Sequence, residues 1–270
     1  MNSHFIIESQ HGIKRSAFLT RRQKESYSIQ SVDNALDVLE ALCDGGDEVR
    51  ISQLSERLSM NKTSIFRLLA TFENRGYVEK EQRSGKYRLG ISAYEMGQKF
   101  LLRMALLRKA KPVMEKLARQ CNEAVYLAVP SGDEILLLDM VDTVQQVKIV
   151  PLIGTRHSMN STSAGRVILA HGDTRRSKEH GSIDQDLIAI KAAGASIDRN
   201  TLGEGITSLA TPLMNAQDMV PGSLCIIGPE FRLSQDKVQN ELLPSLIEAG
   251  VIISSKMGYV GHFINKENAQ

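Results

Sequence analysis

The sequence lacks the features that mark membrane-spanning, secreted and disulfide-stabilised proteins. No apolar run approaches the roughly 18 to 20 residues that a membrane-spanning helix needs. No long apolar stretch follows the charged residues near the N-terminus, so a signal peptide is not predicted. The three cysteines are isolated and odd in number, and they form neither a CxxC pair nor a disulfide framework. The expectation is a globular protein in the reducing cytoplasm.

Signatures of the common enzyme classes are also missing. The sequence contains no GxSxG, no P-loop, no HExxH and no GxGxxG after a predicted strand. The string GGDE at residues 45–48 falls between predicted helices and lacks the surroundings that a nucleotide cyclase would need. His157, His171 and His180 do not form the i, i+4 pairs of a helical metal site. We therefore expect no enzymatic activity, no cofactor and no metal site.

Charge is nearly balanced over the whole chain but not along it. The 270 residues carry a net charge of +2, and their length suits one large domain or two ordinary ones. Residues 61–90 hold seven Lys or Arg side chains against three acidic ones, whereas residues 91–270 hold 19 of each sign. A local basic excess is what contact with DNA phosphates needs. On charge alone, a solvated basic face is an equally good interpretation.

Apolar spacing predicts a helical N-terminal half. Residues 1–27, which are polar and contain the basic cluster Arg21-Arg22-Lys24, are interpreted as a flexible basic arm. Helices are predicted from Ser31 to the glycines at 45 and 46, over about 52–58 and over about 63–74. Two short strands then flank a turn at Ser84-Gly85.

The remaining residues predict a mixed α/β segment. A helix over about 92–107 is expected to pass, with an interruption near Pro112, into a helix at 112–121. The other predicted elements are strands at 123–129, 134–140, 146–150, 204–213 and 221–228, and helices at 162–171, 184–193 and 234–258.

The stretch from residue 50 to residue 75 has the pattern of a helix-turn-helix. It reads RISQLSERLSMNKTSIFRLLATFENR, in which two helices are separated by a three-residue break. Such a pattern lets the second helix enter the DNA major groove, and the basic hairpin behind it suits a wing on the neighbouring backbone. The alternative is a small helical bundle without a nucleic-acid role. The candidate DNA-binding residues are Asn61, Lys62, Thr63, Ser64, Arg67, Arg83, Lys86 and Arg88.

Several stretches, in this order, resemble the IclR family of transcriptional regulators. SVDNALDVLEAL, ISQLSERLSMNKTSIFRLLATFENRGYVEK and GKYRLG resemble the family's winged helix-turn-helix, and LGISAYEMGQKFL resembles the helix that follows its wing. MNSTSAGRVILA (159–170), GITSLATPLM (205–214) and SLCIIGPEFRLSQDKV (223–238) resemble three stretches of its effector-binding domain. The resemblance covers about residues 28–260.

This resemblance implies an α+β protein that regulates transcription. It implies a winged helix-turn-helix over 28–91, a linker helix over 92–108 and a GAF-like α/β effector-binding domain over 109–262. The implied partners are a double-stranded DNA operator, a small-molecule effector, usually a small organic or aromatic acid, and further copies of the chain in a homodimer or homotetramer. The alternative is a DNA-binding protein whose C-terminal domain serves only oligomerisation.

The resemblance also implies an effector pocket. Mapped by motif, its residues are Ser163, Ala164, Asp198, Ser208 and Cys225. We expect free N–H groups at the helix start Ser163–Gly165 to receive the effector carboxylate. For Cys225 a structural role in the core, and for Asp198 a role in capping a turn, are the alternatives.

The chain departs from the family pattern at three places near this pocket. Arg166 replaces the usual Lys, Asn200 and Thr201 replace an acidic pair, and the stretch between His171 and Asp198 is short.

Overall fold

A computed structural model describes residues 28–46, 48–172 and 185–261. The basic arm predicted for residues 1–27 and His180 lie outside the described residues. The chain divides into two compact units, Met1–Gln98 and Lys99–Gln270. None of the helices in the described ranges combines the length and the apolar character that crossing a membrane requires.

The N-terminal unit contains a helical bundle followed by a β-hairpin. Its elements are α1 (Gln30–Asp44), α2 (Ile51–Leu58), α3 (Lys62–Asn74), β1 (Val78–Lys80), β2 (Tyr87–Leu89) and the start of α4 (Ile91–Arg103). One core joins the helices to the hairpin, since Val38, Leu54, Ile65 and Tyr87 are each at most 2% exposed. The three predicted helices and the hairpin are therefore confirmed. The first two helices begin at Gln30 and Ile51, one residue before their predicted starts at Ser31 and residue 52.

The C-terminal unit is built on one antiparallel sheet. Its strands are ordered β5-β4-β3-β8-β7-β6. The strands are β3 (Ala124–Ser131), β4 (Glu134–Val141), β5 (Arg156–Ser158), β6 (Ser196–Arg199), β7 (Ile206–Leu213) and β8 (Gly222–Pro229). The helices after α4 are α5 (Ala105–Cys121), α6 (Ser163–His171), α7 (Gln185–Ala193), α8 (Gln235–Lys237) and α9 (Leu243–Lys256). A single 3₁₀ turn at Glu230–Arg232 follows β8, and a π turn at Val238–Leu242 joins α8 to α9.

The two faces of this sheet carry separate apolar clusters. Successive residues of a strand point to opposite faces. Leu224 and Ile226 of β8 therefore pack in a cluster with α5 and α9, whereas Cys225 and Ile227 pack in a cluster with Ala164 of α6. We call the face that bears the second cluster the α6 face.

One predicted strand is absent from this unit, and two observed strands were not predicted. Residues 146–150 form no strand, because Ile149 packs inward while Val147 and Val150 remain 64% and 78% exposed. The edge strands β5 and β6 were missed. Each has at most four residues and pairs on one side only, so its local pattern is too short to be recognised.

The interruption predicted near Pro112 was also wrong. α4 ends at Arg103, and α5 begins at Ala105 and continues through Pro112. Pro112 cannot donate a backbone hydrogen bond to the carbonyl of Arg108, which lies on the exposed side of α5. Burial of the neighbouring Val113 and Met114 in the sheet core offsets that loss. The last predicted helix, 234–258, is present as α8 and α9, which are separated by the π turn at Val238–Leu242. This turn ends two residues before Pro244, the second residue of α9.

Candidate nucleic-acid and effector sites

The start of α3 is organised by a side-chain cap. Ser59 adopts a left-handed conformation with φ 53°, which ends α2 and turns the chain. Oδ1 of Asn61 then accepts a hydrogen bond from the backbone N–H of Ser64 at 2.8 Å. Lys62 and Thr63 are exposed in the first turn that this cap creates. Asn61 therefore has a structural task at the position where the sequence suggested DNA contact.

Arg67 lies on the exposed side of the same helix. Ile65 and Leu69 point into the core and are fully buried, whereas Arg67 is exposed. Among the ion pairs formed by the described residues, none includes Lys62, Arg67 or Arg83. Within the described part of the chain, the side chains of these three residues therefore carry a positive charge that no acidic residue neutralises.

The other two basic residues predicted to contact DNA have acidic partners. Arg88 of β2 binds Glu79 of β1, with Nη2 and Nε of Arg88 at 2.9 and 3.2 Å from Oε2 of Glu79. Nζ of Lys86 lies 3.1 Å from Oε2 of Glu48. Sequence reasoning missed both acids. The hairpin register places Glu79 opposite Arg88 and was a usable signal, whereas nothing local pointed to Glu48.

The five predicted effector residues lie together on the α6 face. Ser163 and Ser208 share a hydrogen bond, with their Oγ atoms 2.7 Å apart. The carboxylate of Asp198 accepts a hydrogen bond from the backbone N–H of Ser163. Asp198 and Ser208 are opposite each other in neighbouring strands, and both serine side chains are buried.

Ala164 and Cys225 complete this cluster from α6 and β8. Oγ of Ser223 donates a hydrogen bond to the carbonyl oxygen of Ala164 at 3.1 Å and lies 3.9 Å from Sγ of Cys225. Burial raises the pKa of the Cys225 thiol to about 12. The thiol therefore stays neutral and packs as an apolar side chain rather than acting as a nucleophile. Ser223 was not among the predicted residues, although its alternation with Cys225 along β8 placed it on the same face.

The helix start that we expected to receive an effector carboxylate is already occupied. Asp198 accepts from the N–H of Ser163, and Oγ1 of Thr162 accepts from the N–H of Gly165 at 3.2 Å. A Cβ atom at Gly165 would lie 2.1 Å from the carbonyl oxygen of Met159, so only glycine fits here. A second carboxylate at this helix start would meet the charge of Asp198.

Asp198 combines burial with incomplete pairing. Its Oδ1 atom is buried and has no hydrogen-bond partner among the described residues. Burial raises the pKa of the Asp198 carboxyl, and hydrogen bonds from Ser163 and Thr201, together with the charge of Arg166, oppose that rise. An unpaired buried acceptor is rare in folded proteins because leaving it unsatisfied is unfavourable. Oδ1 of Asp198 therefore has the capacity for one further hydrogen bond.

Two further polar side chains face the same side of the sheet. The hydroxyl of Tyr126 accepts a hydrogen bond from the backbone N–H of Leu152 at 3.4 Å. His157 is paired with Ile135, whose side chain belongs to the cluster on the α6 face. Burial lowers the pKa of His157, so the neutral imidazole is favoured. Sequence reasoning considered His157 as a metal ligand, and Tyr126 was missed.

A separate cavity of about 590 Å³ lies beside the edge strand β6. It is lined mainly by α7, β6 and α9, and by none of the five predicted effector residues. Arg166, the departure from the family pattern, lies on its rim and pairs with Asp186 at 3.1 Å. Within the described ranges, no group of three or more His, Cys, Asp or Glu side chains is placed to hold a metal ion.

Comparison with known proteins agrees with both units. Residues 31–82 match the IclR helix-turn-helix domain, and residues 98–180 and 174–255 match the Bacterial transcriptional regulator IclR C-terminal domain. The HTH-type transcriptional regulator KdgR of Dickeya chrysanthemi is 30% identical over 253 residues, which cover 87% of this chain and 82% of that protein.

Two solved structures share the fold. One is an IclR transcriptional regulator from Alicyclobacillus acidocaldarius, with a TM-score of 0.75, 22% identity and coverage of 86% of this chain and 100% of that one. The other is an IclR homolog from Microbacterium hydrocarbonoxydans complexed with 4-hydroxybenzoate, with a TM-score of 0.74, 21% identity and coverage of 84% and 99%. The predicted α+β architecture is confirmed, and the relatives are regulators rather than enzymes. The chain belongs to the IclR family of DNA-binding transcriptional regulators.

Proposed function

We propose that this regulator binds an operator as a homo-oligomer and that a small hydroxylated organic acid in its C-terminal unit changes the affinity for DNA. The observation that carries the effector proposal is the buried polar cluster of Ser163, Ser208 and Asp198, in which Oδ1 of Asp198 has no partner among the described residues. The fold neighbour complexed with 4-hydroxybenzoate, itself a hydroxylated acid, supports the chemical class.

On the DNA side, α3 is proposed to enter the major groove. Lys62, Thr63 and Arg67 are exposed on this helix and can reach base edges or phosphates. The hairpin turn that carries Arg83 then lies against the neighbouring phosphate backbone. A two-fold dimer presents two copies of α3, so the operator is expected to be pseudo-palindromic.

In the effector site, the occupied helix start decides the proposed orientation of the ligand. Oδ1 of Asp198 is a free hydrogen-bond acceptor among the described residues, so the proposal places the hydroxyl group of the ligand as a donor to this atom. The ligand carboxylate points away from Asp198, because two like charges at short distance repel each other. A ligand with a carboxylate alone is therefore a poor fit, and a hydroxy acid is preferred.

Homodimer formation is proposed to use apolar side chains left exposed on α1 and α4. Val32 and Leu36 of α1 are 50% and 51% exposed, and Tyr94 and Leu102 of α4 are 63% and 70% exposed. The pairs are spaced four and eight residues apart, so each pair lies on one side of its helix. Large apolar side chains grouped in this way mark association surfaces. Since α4 links the two units along the chain, we propose that effector binding changes the affinity for DNA through this helix.

A second candidate is a C-terminal unit that only assembles the protein. The loop between β4 and β5 favours it, because Val144, Val147 and Val150 are 89%, 64% and 78% exposed. Three exposed valines in one loop suit contact with another copy of the chain, and they have no task in an effector site.

Thermal denaturation with a panel of small acids separates these candidates, because a ligand that binds only the folded state must raise the melting temperature. The panel includes 4-hydroxybenzoate beside benzoate, and other hydroxy acids beside their deoxy forms. The sensor proposal expects a hydroxylated member to raise the melting temperature and to change affinity for the upstream region of the protein's own gene in a gel shift. No stabilisation by any member would favour the assembly-only candidate.

A further inference from the structure

Within the hairpin of the DNA-binding unit, a basic residue of one strand forms an ion pair with an acidic residue of the other. Glu79 and Arg88 are directly opposite each other in β1 and β2. Arg88 donates to Oε2 of Glu79 from both Nε and Nη2, at 3.2 and 2.9 Å. The hydrogen bond with Glu79 also raises the pKa of Arg88. Both side chains remain about half exposed, at 56% for Arg88 and 46% for Glu79, so the pair lies at the protein surface.

A second pair is held in place by the backbone. Val49 and Tyr87 exchange two backbone hydrogen bonds of 2.8 Å, which attach the segment before α2 to the hairpin. Glu48 and Lys86, each one residue before this bridge, lie 3.1 Å apart between Oε2 and Nζ. The partner of Lys86 is therefore supplied by a residue 38 positions away in the chain.

We propose that Glu79 and Glu48 act as specificity determinants that restrain the affinity of the hairpin for arbitrary DNA. The inference rests on the proposed placement of this hairpin against the DNA backbone. Affinity for DNA of any sequence grows with the number of cations that reach phosphates. Arg88 and Lys86 reach a phosphate only after leaving an acidic partner, whereas Arg83 forms no ion pair among the described residues.

This arrangement affects operator and non-operator DNA unequally. On arbitrary DNA the loss of the two pairs is not offset by base contacts. On the operator, the base contacts of α3 fix the position of the hairpin, so that each released cation gains a defined phosphate partner, whereas on arbitrary DNA the hairpin is not held in one position. Exposed ion pairs are weak enough for DNA to break them. The pairs therefore lower background binding more than they lower operator binding.

The test uses two fluorescently labelled duplexes, one of random sequence and one carrying an operator obtained by selection, and measures anisotropy with each at several salt concentrations. Glu79→Gln and Glu48→Gln are each compared with Glu40→Gln, which removes the same charge from an exposed position of α1, and Glu48→Gln should act in the same direction as Glu79→Gln. We expect Glu79→Gln to tighten binding to the random duplex by about two- to fivefold at low salt. The slope of log K against log salt should steepen by up to about 0.9, the value for one additional phosphate contact. Glu40→Gln should change both quantities less.

A double substitution shows whether the gain depends on the released arginine. In Glu79→Gln/Arg88→Gln the tighter binding should disappear, and melting curves of each variant confirm that the hairpin remains folded. The inference is overturned if Glu79→Gln binds random DNA like Glu40→Gln, if the gain persists without Arg88, or if affinity for the operator rises by the same factor as affinity for random DNA. Arg67→Ala, measured in parallel, separates this failure from a failure of the DNA-binding proposal, because weaker binding by Arg67→Ala supports that proposal whatever the hairpin variants do.

Discussion

The carboxylate of Asp198 accepts a hydrogen bond from the backbone N–H of Ser163, so a residue of β6 caps the start of α6. The cap ties an edge strand of the sheet to the helix that covers one of its faces. It also places a partly paired carboxyl at the centre of the proposed effector site, and its protonation is expected to affect stability.

The first prediction concerns Asp198→Asn. Burial raises the pKa of Asp198 in the folded protein. The stability that this group contributes is therefore present at low pH and is lost as pH rises through its folded-state pKa. Asparagine keeps an acceptor for Ser163 without a buried charge. We expect Asp198→Asn to melt at a higher temperature than the original protein near pH 7, and the difference to shrink as pH falls towards 4.

Melting curves over this pH range check the prediction. Asp37→Asn, at an exposed position of α1, is the matched control and should show no comparable pH-dependent gain. A lower melting temperature for Asp198→Asn at neutral pH would mean that the charged carboxylate stabilises the start of α6.

The second prediction concerns Arg67, which is exposed on α3 and forms no ion pair among the described residues. Arg67→Ala should weaken DNA binding by about 1–3 kcal/mol, the usual cost of losing a guanine or phosphate contact. The melting temperature should not change, because the side chain lies outside the core. Titration of a selected operator by gel shift measures the effect. Arg75→Ala, at the other end of α3, is the control, and equal losses in both variants would refute the assigned orientation of the helix.

The third prediction concerns the glycine in the first turn of α6. Gly165→Ala brings a Cβ atom to within 2.1 Å of the carbonyl oxygen of Met159. The resulting overpacking should destabilise the C-terminal unit by about 1–3 kcal/mol. Gly97→Ala is the control, since nothing lies within 4 Å of the Cβ position there. In helix α4 it should be neutral or stabilising, by up to about 1 kcal/mol. Chemical denaturation of both variants measures these changes, and an unchanged Gly165→Ala would show that the loop before α6 moves freely.

The fourth prediction concerns assembly. Tyr94 is 63% exposed on α4, on the surface proposed for the homodimer. Tyr94→Asp should reduce the molar mass of the assembly in light scattering after size exclusion, because a charge would be buried at the interface. The control is Met219→Asp, which introduces the same charge at a residue that is 59% exposed in the C-terminal unit and should leave the molar mass unchanged. If Tyr94→Asp keeps the mass of the original protein across a dilution series, α4 is not the interface.

Local sequence was sufficient to predict the secondary structure of the DNA-binding unit. The apolar residues of α3 recur at helical spacing, Asn61 is a strong N-cap residue, and a glycine turn separates two short strand patterns. These signals act over a few residues, and each agrees with the packing that the unit requires. The predicted helices and hairpin, and the exposure of Arg67, therefore agree with the structure.

Signals of the same kind failed wherever a partner distant in sequence decided the outcome. Pro112 interrupts a helix pattern locally, yet the burial of Val113 and Met114 keeps α5 continuous. Residues 146–150 have the composition of a strand, but no neighbouring strand pairs with them. β5 and β6 are too short to show alternation and exist because longer strands pair with them.

The sequence by itself determined the helix-turn-helix, because its helices depend on periodicity within one continuous stretch. The set of residues proposed for the effector site came from the resemblance to the IclR family. Only the tertiary structure decided how those residues are paired. Asp198 reaches Ser163 across 35 positions, and Glu48 reaches Lys86 across 38. Charge and hydrogen-bond partners depend on distance in space, which a linear pattern does not encode. For that reason the helix start expected to bind an effector carboxylate is occupied by Asp198, and Lys86 and Arg88, which were expected to contact DNA, form ion pairs with acidic residues.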